Sequence, residues 1–281
     1  MTLMELMIAM TVSIVALGLI YGTYSAQQRS YTNEQLVMDM QQNARSALAF
    51  MRREIRMTGY NPRAHNGIDD NPLINTVIDD AAEGVVEGFK VVRGDRISFS
   101  FDLNGDGDDK DDNETIIYQF KPANDADADG IADTGGADLF RYHRDGSGDC
   151  SALAFDIHAV AFAYAFDDDG DGQLDTFPDA PNVVVWAWDS DGDNILDRYL
   201  DTNKDGVIDA ADAVNGAALA AVVPKASIRA VQVWLLARTR YPIRGHIENE
   251  TYVVGPRHIA PGDGYKRTLL NGIVMIRNPG N

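Results

Sequence analysis

Apolar residues run almost unbroken from Met1 to Tyr24, with Glu5 the one charged side chain among them. About 20 such residues span a bilayer as a helix, so the pattern predicts a membrane-length helix at the start of the chain. A secretory signal peptide opens on basic residues and ends at a small-residue cleavage site; this run has neither and is expected to stay in the mature protein. Further on, the apolar positions thin to a helical period. Val37, Met40, Ala44, Ala47 or Leu48, Met51 and Ile55 recur every three to four residues, with no Gly or Pro from Glu34 to Met57. Arg45, Arg52, Arg53 and Arg56 fall largely on the other side, three of them in the last turns, where cations suit the helix dipole. Gly59 and Pro62 are stop signals. The pattern predicts one helix of about 60 residues, roughly 85 Å long at about 1.5 Å per residue.

After Pro62 the texture changes to short runs rich in Val, Ile and aromatics: Phe89 to Phe101, Thr115 to Phe120, Ile157 to Phe166, Val183 to Trp188, Ile228 to Arg238, Thr251 to Val254 and Arg267 to Ile276. Loops of Asp and Gly separate the middle ones. The fold class read from this is α+β, a long N-terminal helix carrying a β-rich, antiparallel-sheet head. The helix divides into a hydrophobic part over 1–27 and an amphipathic continuation over 28–60. The head covers 61–281, with an Asp-rich insertion at about 102–212.

Charge changes the picture. The chain of 281 residues carries a net charge of −19, and 102–212 alone holds 29 acidic and 6 basic residues, a local net of −23, so the remainder nets +4. Nucleic acid is excluded as a partner, because the one large field here repels phosphate. A single cysteine, Cys150, allows no internal disulfide and no CxxC metal site. Whatever staples the long loops is not sulfur.

The acids are patterned. Asp201, Asn203, Asp205, Asp209 and Asp212 stand at positions 1, 3, 5, 9 and 12 of a twelve-residue frame, with Gly206 at 6 and the Val207 backbone carbonyl available at 7. That is the spacing of an EF-hand-type calcium loop, which wraps six to eight hard oxygens round one point; with Asp in place of Glu at 12 it resembles a dockerin loop. Asp189, Asp191, Asp193 and Asp197 repeat positions 1, 3, 5 and 9, with Asn194 at 6 and Leu200 at 12, so two twelve-residue frames would run back to back. Asp167, Asp169, Asp171 and Asp175 with Gly172 make a third frame, and Asp125, Asp127, Asp129 and Asp133 with Gly130 a fourth. Around Asp102, Asn104, Asp106, Asp108 and Asp112 the acids are so dense that the register is ambiguous. Soluble Asp-Gly turns are the bland reading. Five recurrences of alternating Asp, each self-repelling if unpaired, favour several structural calcium ions instead.

Glu5 is the other singular residue. A carboxylate inside a bilayer is costly unless paired, and its natural partner is an α-amino group. The segment Met1-Thr2-Leu3-Met4-Glu5-Leu6-Met7 resembles the N-terminus of mature type IV pilins and pseudopilins. Gln27-Gln28-Arg29-Ser30-Tyr31, Gln41 to Leu48 and Arg52-Arg53-Glu54-Ile55-Arg56-Met57-Thr58-Gly59-Tyr60 are similar to the PilW family of minor pilins, as are Ile228 to Thr239 and Arg267 to Asn278. This resemblance covers about the first 60 and last 55 residues and leaves the Asp-rich middle outside it. It departs from pilins at Met1, usually Phe, and at Gly22, where many have Pro. The resemblance implies that Glu5 pairs with the methylated amine of residue 1 on a neighbouring subunit. It implies other pilin subunits, an inner-membrane assembly machinery and a prepilin peptidase as partners. It also implies a path from the inner membrane to an extracellular filament or its tip.

No GxSxG, HExxH or P-loop occurs, and His65, His143, His158, His246 and His258 show no ligand spacing; the chain is read as a non-enzyme. Arg93-Gly94-Asp95 reads as a hairpin turn and His158 as a satisfied, partly buried side chain in a strand. The expected function is a structural pilin-like subunit that assembles through its helix and displays a calcium-stabilised head. The alternatives are a type II secretion pseudopilin, a membrane-anchored calcium-dependent adhesin and a membrane-anchored hydrolase.

Overall fold

The computed structural model describes residues 2–61, 88–105, 109, 111, 113–143 and 150–277. Met1, Pro62, His65, Asp106, Asp108 and Asp112 lie outside that set. Helix α1 spans Leu3–Ile55, 53 residues, and continues through Gly18 and Gly22. It opens on a capping box: the Thr2 hydroxyl accepts from the Glu5 N–H at 3.4 Å, and the Glu5 carboxylate accepts from the Thr2 N–H at 2.8 Å. Gly59, at φ +72°, turns the chain out of the helix, a left-handed conformation that costs glycine little. Residues 2–24 are exposed throughout, whereas Met40, Ala44, Ala47, Leu48, Met51 and Ile55 are buried against the head. Arg45, Arg52, Arg53 and Arg56 are exposed, with Arg52 reaching the Ile273 carbonyl at the head's edge.

The head's strands are β1 (Phe89–Val92), β2 (Ile97–Ser100), β3 (Thr115–Phe120), β4 (Ala137–His143), β5 (Cys150–Phe166), β6 (Thr176–Phe177), β7 (Ala180–Val184), β8 (Ala187–Trp188), β9 (Ile195–Tyr199), β10 (Ala217–Pro224), β11 (Ile228–Arg238), β12 (Tyr252–Val254), β13 (Arg257–Ile259) and β14 (Arg267–Met275). Ten form one sheet, while β6 pairs β7 and β12 pairs β13. The hub is β5, 17 residues long. It pairs antiparallel with β4, with β11 and, at Tyr164, with β8, and β14 adds to the far side of β11. Alternation along β11 builds two layers. Val231, Val233 and Leu235 join Val160, Phe162 and Tyr164 of β5 beneath α1. Trp234 and Leu236 face the other way, with Ala159, Ala161 and Ala163, under the β12–β13 hairpin residues Tyr252, Val254 and Ile259. Both faces of β5 are therefore covered, which is why its second half reads as an unbroken apolar run. Full burial of a side chain such as Met51 or Ile55 stabilises this joint by about 1.5–3 kcal/mol.

An ion pair fixes α1 on the sheet. Glu54 accepts from Arg141 of β4 in a fork, Nη2 to Oε1 at 2.9 Å and Nε to Oε2 at 2.9 Å, and also from the Tyr118 hydroxyl of β3. The two charged side chains are only 10% and 13% exposed. Burial, then the Glu54 carboxylate, hold the Tyr118 phenol well above its usual range, so it stays a donor.

Several expectations need correction. Phe89 to Phe101 is two strands, β1 and β2, joined through Arg93-Gly94-Asp95, as the turn reading of that tripeptide requires. Asp95 is buried and bonded to Arg93 Nε at 2.8 Å, and a Cβ on Gly94 would stand 2.7 Å from Trp188. Strands β4, β6, β9, β10 and β13 lie outside the expected runs, and β5 starts at Cys150, ahead of Ile157. β4 carries Asp138 and Arg141, and β10 is largely alanine, so neither shows the β-branched enrichment that marks a strand.

Candidate metal loops and the apolar helix

Four Asp loops share one internal design. At position 1, buried Asp125, Asp167, Asp189 and Asp201 accept backbone N–H groups from inside their own loops. Asp125 takes Asp129 and Gly130 (both 3.0 Å); Asp167 takes Gly170 (2.8 Å) and Gly172 (3.1 Å). Asp189 takes Asp191, Gly192 and Asn194 (3.1, 2.7 and 2.8 Å), and Asp201 takes Asp205 (3.2 Å) and Gly206 (2.7 Å). At position 5, Asp129, Asp171, Asp193 and Asp205 each accept the N–H two residues on, at 2.7, 2.7, 2.8 and 2.8 Å. At position 3, Asp169, Asp191 and Asn203 accept the N–H of position 5 at 3.0, 3.2 and 3.0 Å.

The backbone repeats too. Position 6 has positive φ in all four loops, at Gly130 (+77°), Gly172 (+83°), Asn194 (+66°) and Gly206 (+87°). Asn194 therefore does the work of glycine, as Asn can in the left-handed region. Position 4 is left-handed as well, at Ala128, Gly170, Gly192 and Lys204, a feature the sequence spacing did not reveal.

Loop closure separates the frames. Asp133, Asp175 and Asp197, at position 9, accept the N–H of position 2 at 3.0, 3.2 and 2.8 Å. In the 201 loop Asp212, at position 12, does this for Thr202 at 2.7 Å and also accepts from Asn203 and Asp209. The 189 frame thus closes after nine residues and passes into β9, which corrects the expectation of two back-to-back twelve-residue frames. Of these four loops, 201–212 alone keeps the full length.

Among the described residues, carboxylate oxygens converge to within 4.8 Å in three places: Asp125, Asp127 and Asp129; Asp167, Asp169 and Asp175; and Asp189, Asp191 and Asp193. Asp133, Asp171 and Asp197 are not in those groups. The 201 loop forms no such group among the described residues, because Asn203 replaces an acid and Asp212 is turned to backbone donors. In the 102 region, buried Asp102 accepts from Gly105 N–H, and Asn104 Nδ2 bonds Asp111. Glu114, 1% exposed, gathers the N–H groups of Leu103, Asn104 and Asp111. Glu114 and Asp109, which pairs with Lys90 at 3.1 Å, were missed; an acid directly ahead of a strand was the available signal for Glu114.

Electrostatics mark the groups. Burial pushes the Asp125 carboxyl up to about 6 against the pull of the Gly130 and Asp129 N–H groups, and burial raises Asp129, Asp175 and Asp189 as well. These loops hold negative charge at a cost, and a hard cation among oxygens is the chemistry that relieves it. Elsewhere His158 is buried and accepts from Arg267 Nε at 2.7 Å. Burial and then Arg267 lower it to about 4, so it is a satisfied strand histidine, as read.

The helix is the second candidate element. Residues 3–55 form the one described helix long and apolar enough to cross a membrane, and its most apolar window has no buried residue. Glu5 sits in that window, bonded to Thr2 within its own chain. Met1, its expected partner on a neighbour, lies outside the described residues.

No curated protein matches the chain. Among solved structures, a type IV-like pilin from Thermus thermophilus aligns over 84% of this chain and 94% of its own, at 14% identity and a TM-score of 0.36. The family profile of Type IV Pilus-assembly protein W, PilW, matches residues 131–278. That stretch includes the 167, 189 and 201 loops, which the resemblance read from sequence left outside. It runs from the middle of the sheet through its closing strands and takes in more than half of the residues, and on that match the chain belongs to the PilW family of type IV pilus-assembly proteins.

Proposed function

We propose that this protein is a structural subunit of a type IV pilus or related filament, packing through α1 and displaying a calcium-stabilised head outside the cell. The observation that carries the reading is the exposed apolar surface of residues 2–24 on a chain of a pilus-assembly family. Such a surface needs lipid before assembly and neighbouring helices after it. The inner membrane, the assembly machinery and a prepilin peptidase are the matching earlier partners. Glu5 then exchanges its bond to Thr2 for the amine of a neighbour's Met1, which replaces a weak local cap by a charge pair. In sheared filaments, Glu5→Ala should be strongly depleted while remaining in the membrane fraction; normal incorporation would refute the role of Glu5.

For the head, Asp125, Asp127, Asp129, Asp167, Asp169, Asp175, Asp189, Asp191 and Asp193 would hold calcium, joined by the longer 201 frame. An ion there supplies positive charge and cross-links the loop ends, the task that disulfides perform elsewhere. All donors are carboxylate, amide or backbone oxygens, which suits a hard cation and not zinc.

A further inference from the structure

Charge is segregated on this molecule. On α1, Arg45, Arg52 and Arg56 fall within roughly 40° of one another at about 100° per residue, with Arg53 beside them, and all four are exposed. The acid in these turns, Glu54, is turned into the Arg141 pair. Arg52 donates to the Ile273 carbonyl of β14 at 3.3 Å, and the Arg277 N–H meets the Arg56 carbonyl at 3.5 Å. The arginine stripe therefore lies along the β14 side of the head. Among the described residues, Arg45, Arg53 and Arg56 have no acidic partner.

The 189 and 201 loops sit at the other margin, whereas the 102 loop lies by the end of α1, its Asp102 N–H on the Tyr60 carbonyl at 2.8 Å, and the 167 loop by β11, with Asp167 3.8 Å from Arg229. The strand path β14–β11–β5–β8–β9–β10 puts roughly 14 to 24 Å, at about 4.8 Å per strand, between β14, beside the stripe, and the strands β8 to β10 that carry the 189 and 201 loops. Exposed Asp191, Asp193, Asp205 and Asp209 line that margin. One copy cannot bring its own two margins together. We propose that the arginine flank of α1 receives the Asp-loop margin of a second copy of this chain, an inference that rests on the filament-subunit reading above. The complementarity survives metal, since a divalent ion in each of five loops still leaves the 102–212 segment, at −23, net negative. A contact between two different surfaces repeats without closing, so it extends a filament where a two-fold contact would stop at a dimer. Lipid headgroups fit the stripe less well, because Arg45 stands about 30 Å along the helix beyond Tyr24, several Debye lengths away.

The test uses the full chain, with exposed Cys150 changed to Ser, assembled from detergent and treated with a short bismaleimide. Ala49→Cys, in the stripe, and Ala211→Cys, in the 201 loop, are introduced in separate preparations and mixed; Ile8→Cys reports helix packing. The proposal expects 49–211 products at low salt, falling about tenfold in ~0.5 M NaCl or on Arg45→Glu/Arg53→Glu/Arg56→Glu, with a smaller loss for the Gln versions. Products at 49–49 in their place, or a 49–211 yield indifferent to charge reversal, overturn it. Absence of 49–211 with intact Ile8→Cys products overturns it alone, and loss of both removes the filament reading too. Shielding of the Ala49→Cys thiol by phosphatidylglycerol vesicles without a 49–211 product gives the flank to lipid and likewise overturns it.

Discussion

Substituting Asp205 by Asn separates the turn from the ion. The Asp205 Oδ1 accepts the Val207 N–H at 2.8 Å, which an Asn oxygen can also do; the exposed Asn203 Nδ2 bond to Oδ2 at 3.0 Å is given up to water, so the loop keeps its main-chain turn while losing one charge. Two loop carboxylates about 5 Å apart repel by roughly 3 kcal/mol at an effective dielectric of about 20, and solvent at exposed acids such as Asp205 screens this toward ~1 kcal/mol. Without calcium, Asp205→Asn should therefore be as stable as wild type or slightly more so. With calcium about a hundredfold above its dissociation constant, a wild-type site adds about 2.7 kcal/mol. For a domain of this size that raises the midpoint by roughly 5–10 °C. Extracellular sites bind with constants on the order of 10⁻⁴ to 10⁻³ M, so about 10 mM calcium approaches that regime. Near-UV circular dichroism melts of wild type and Asp205→Asn in micelles, each with calcium and with chelator, supply the comparison. The variant should lose a large part of the calcium increment and none of the chelator midpoint. Equal wild-type midpoints in calcium and chelator would falsify the metal reading and leave the loops as hydrogen-bonded turns.

The remaining predictions concern the joint and the strand histidine. Arg141→Met strands the Glu54 carboxylate at 13% exposure and should cost about 3 kcal/mol in denaturant titrations, whereas pairing it with Glu54→Leu should recover most of that loss; an additive double variant would contradict the clamp. His158 has a folded pKa of about 4 against 6.5. The unfolded chain takes up that proton first, so stability should fall as pH drops from about 6.5 to 4. His158→Gln, which keeps an acceptor for Arg267, should flatten that slope, and denaturant midpoints at pH 7.5, 5.5 and 4.5 that keep the same slope in both proteins would disprove it.

The helix was legible because one rule governs each half: apolar content for 1–24 and three-to-four spacing for Met40 to Ile55. The central strands β5 and β11 were legible because burial on both faces demands continuous apolar sequence. Strand β4 was not, since Arg141 sits in it for a contact with Glu54, 87 positions away, and no local pattern carries such a contact. Among the loops, alternating Asp disclosed which residues converge. It could not disclose closure length, because Asp197 and Asp212 play the same closing role from positions 9 and 12. The choice is set by the neighbouring backbone, a strand from Ile195 in one case and a further turn in the other.

That difference bears on how ion and fold are coupled. In every loop the first Asp is buried and already holds backbone N–H groups with both of its oxygens. A carboxylate oxygen that takes one N–H keeps a second lone pair, so at Asp125, Asp167, Asp201 and the Oδ2 of Asp189 the same atom can close the turn and face a cation. The turn is built by hydrogen bonds within the chain, and the charges it gathers are what the proposed ion would offset. The sheet supplies partial substitutes: Arg229 stands 3.8 Å from Asp167, Arg93 lies against Gly192, and Arg257 is placed among Asp129, Asp95, Asp125 and Asp127. The 201 loop has no such neighbour among the described residues, since its own Lys204 is drawn to Asp179. Under the calcium reading, the 201 loop, without a basic neighbour, should gain more from the ion than the 125, 167 and 189 loops do.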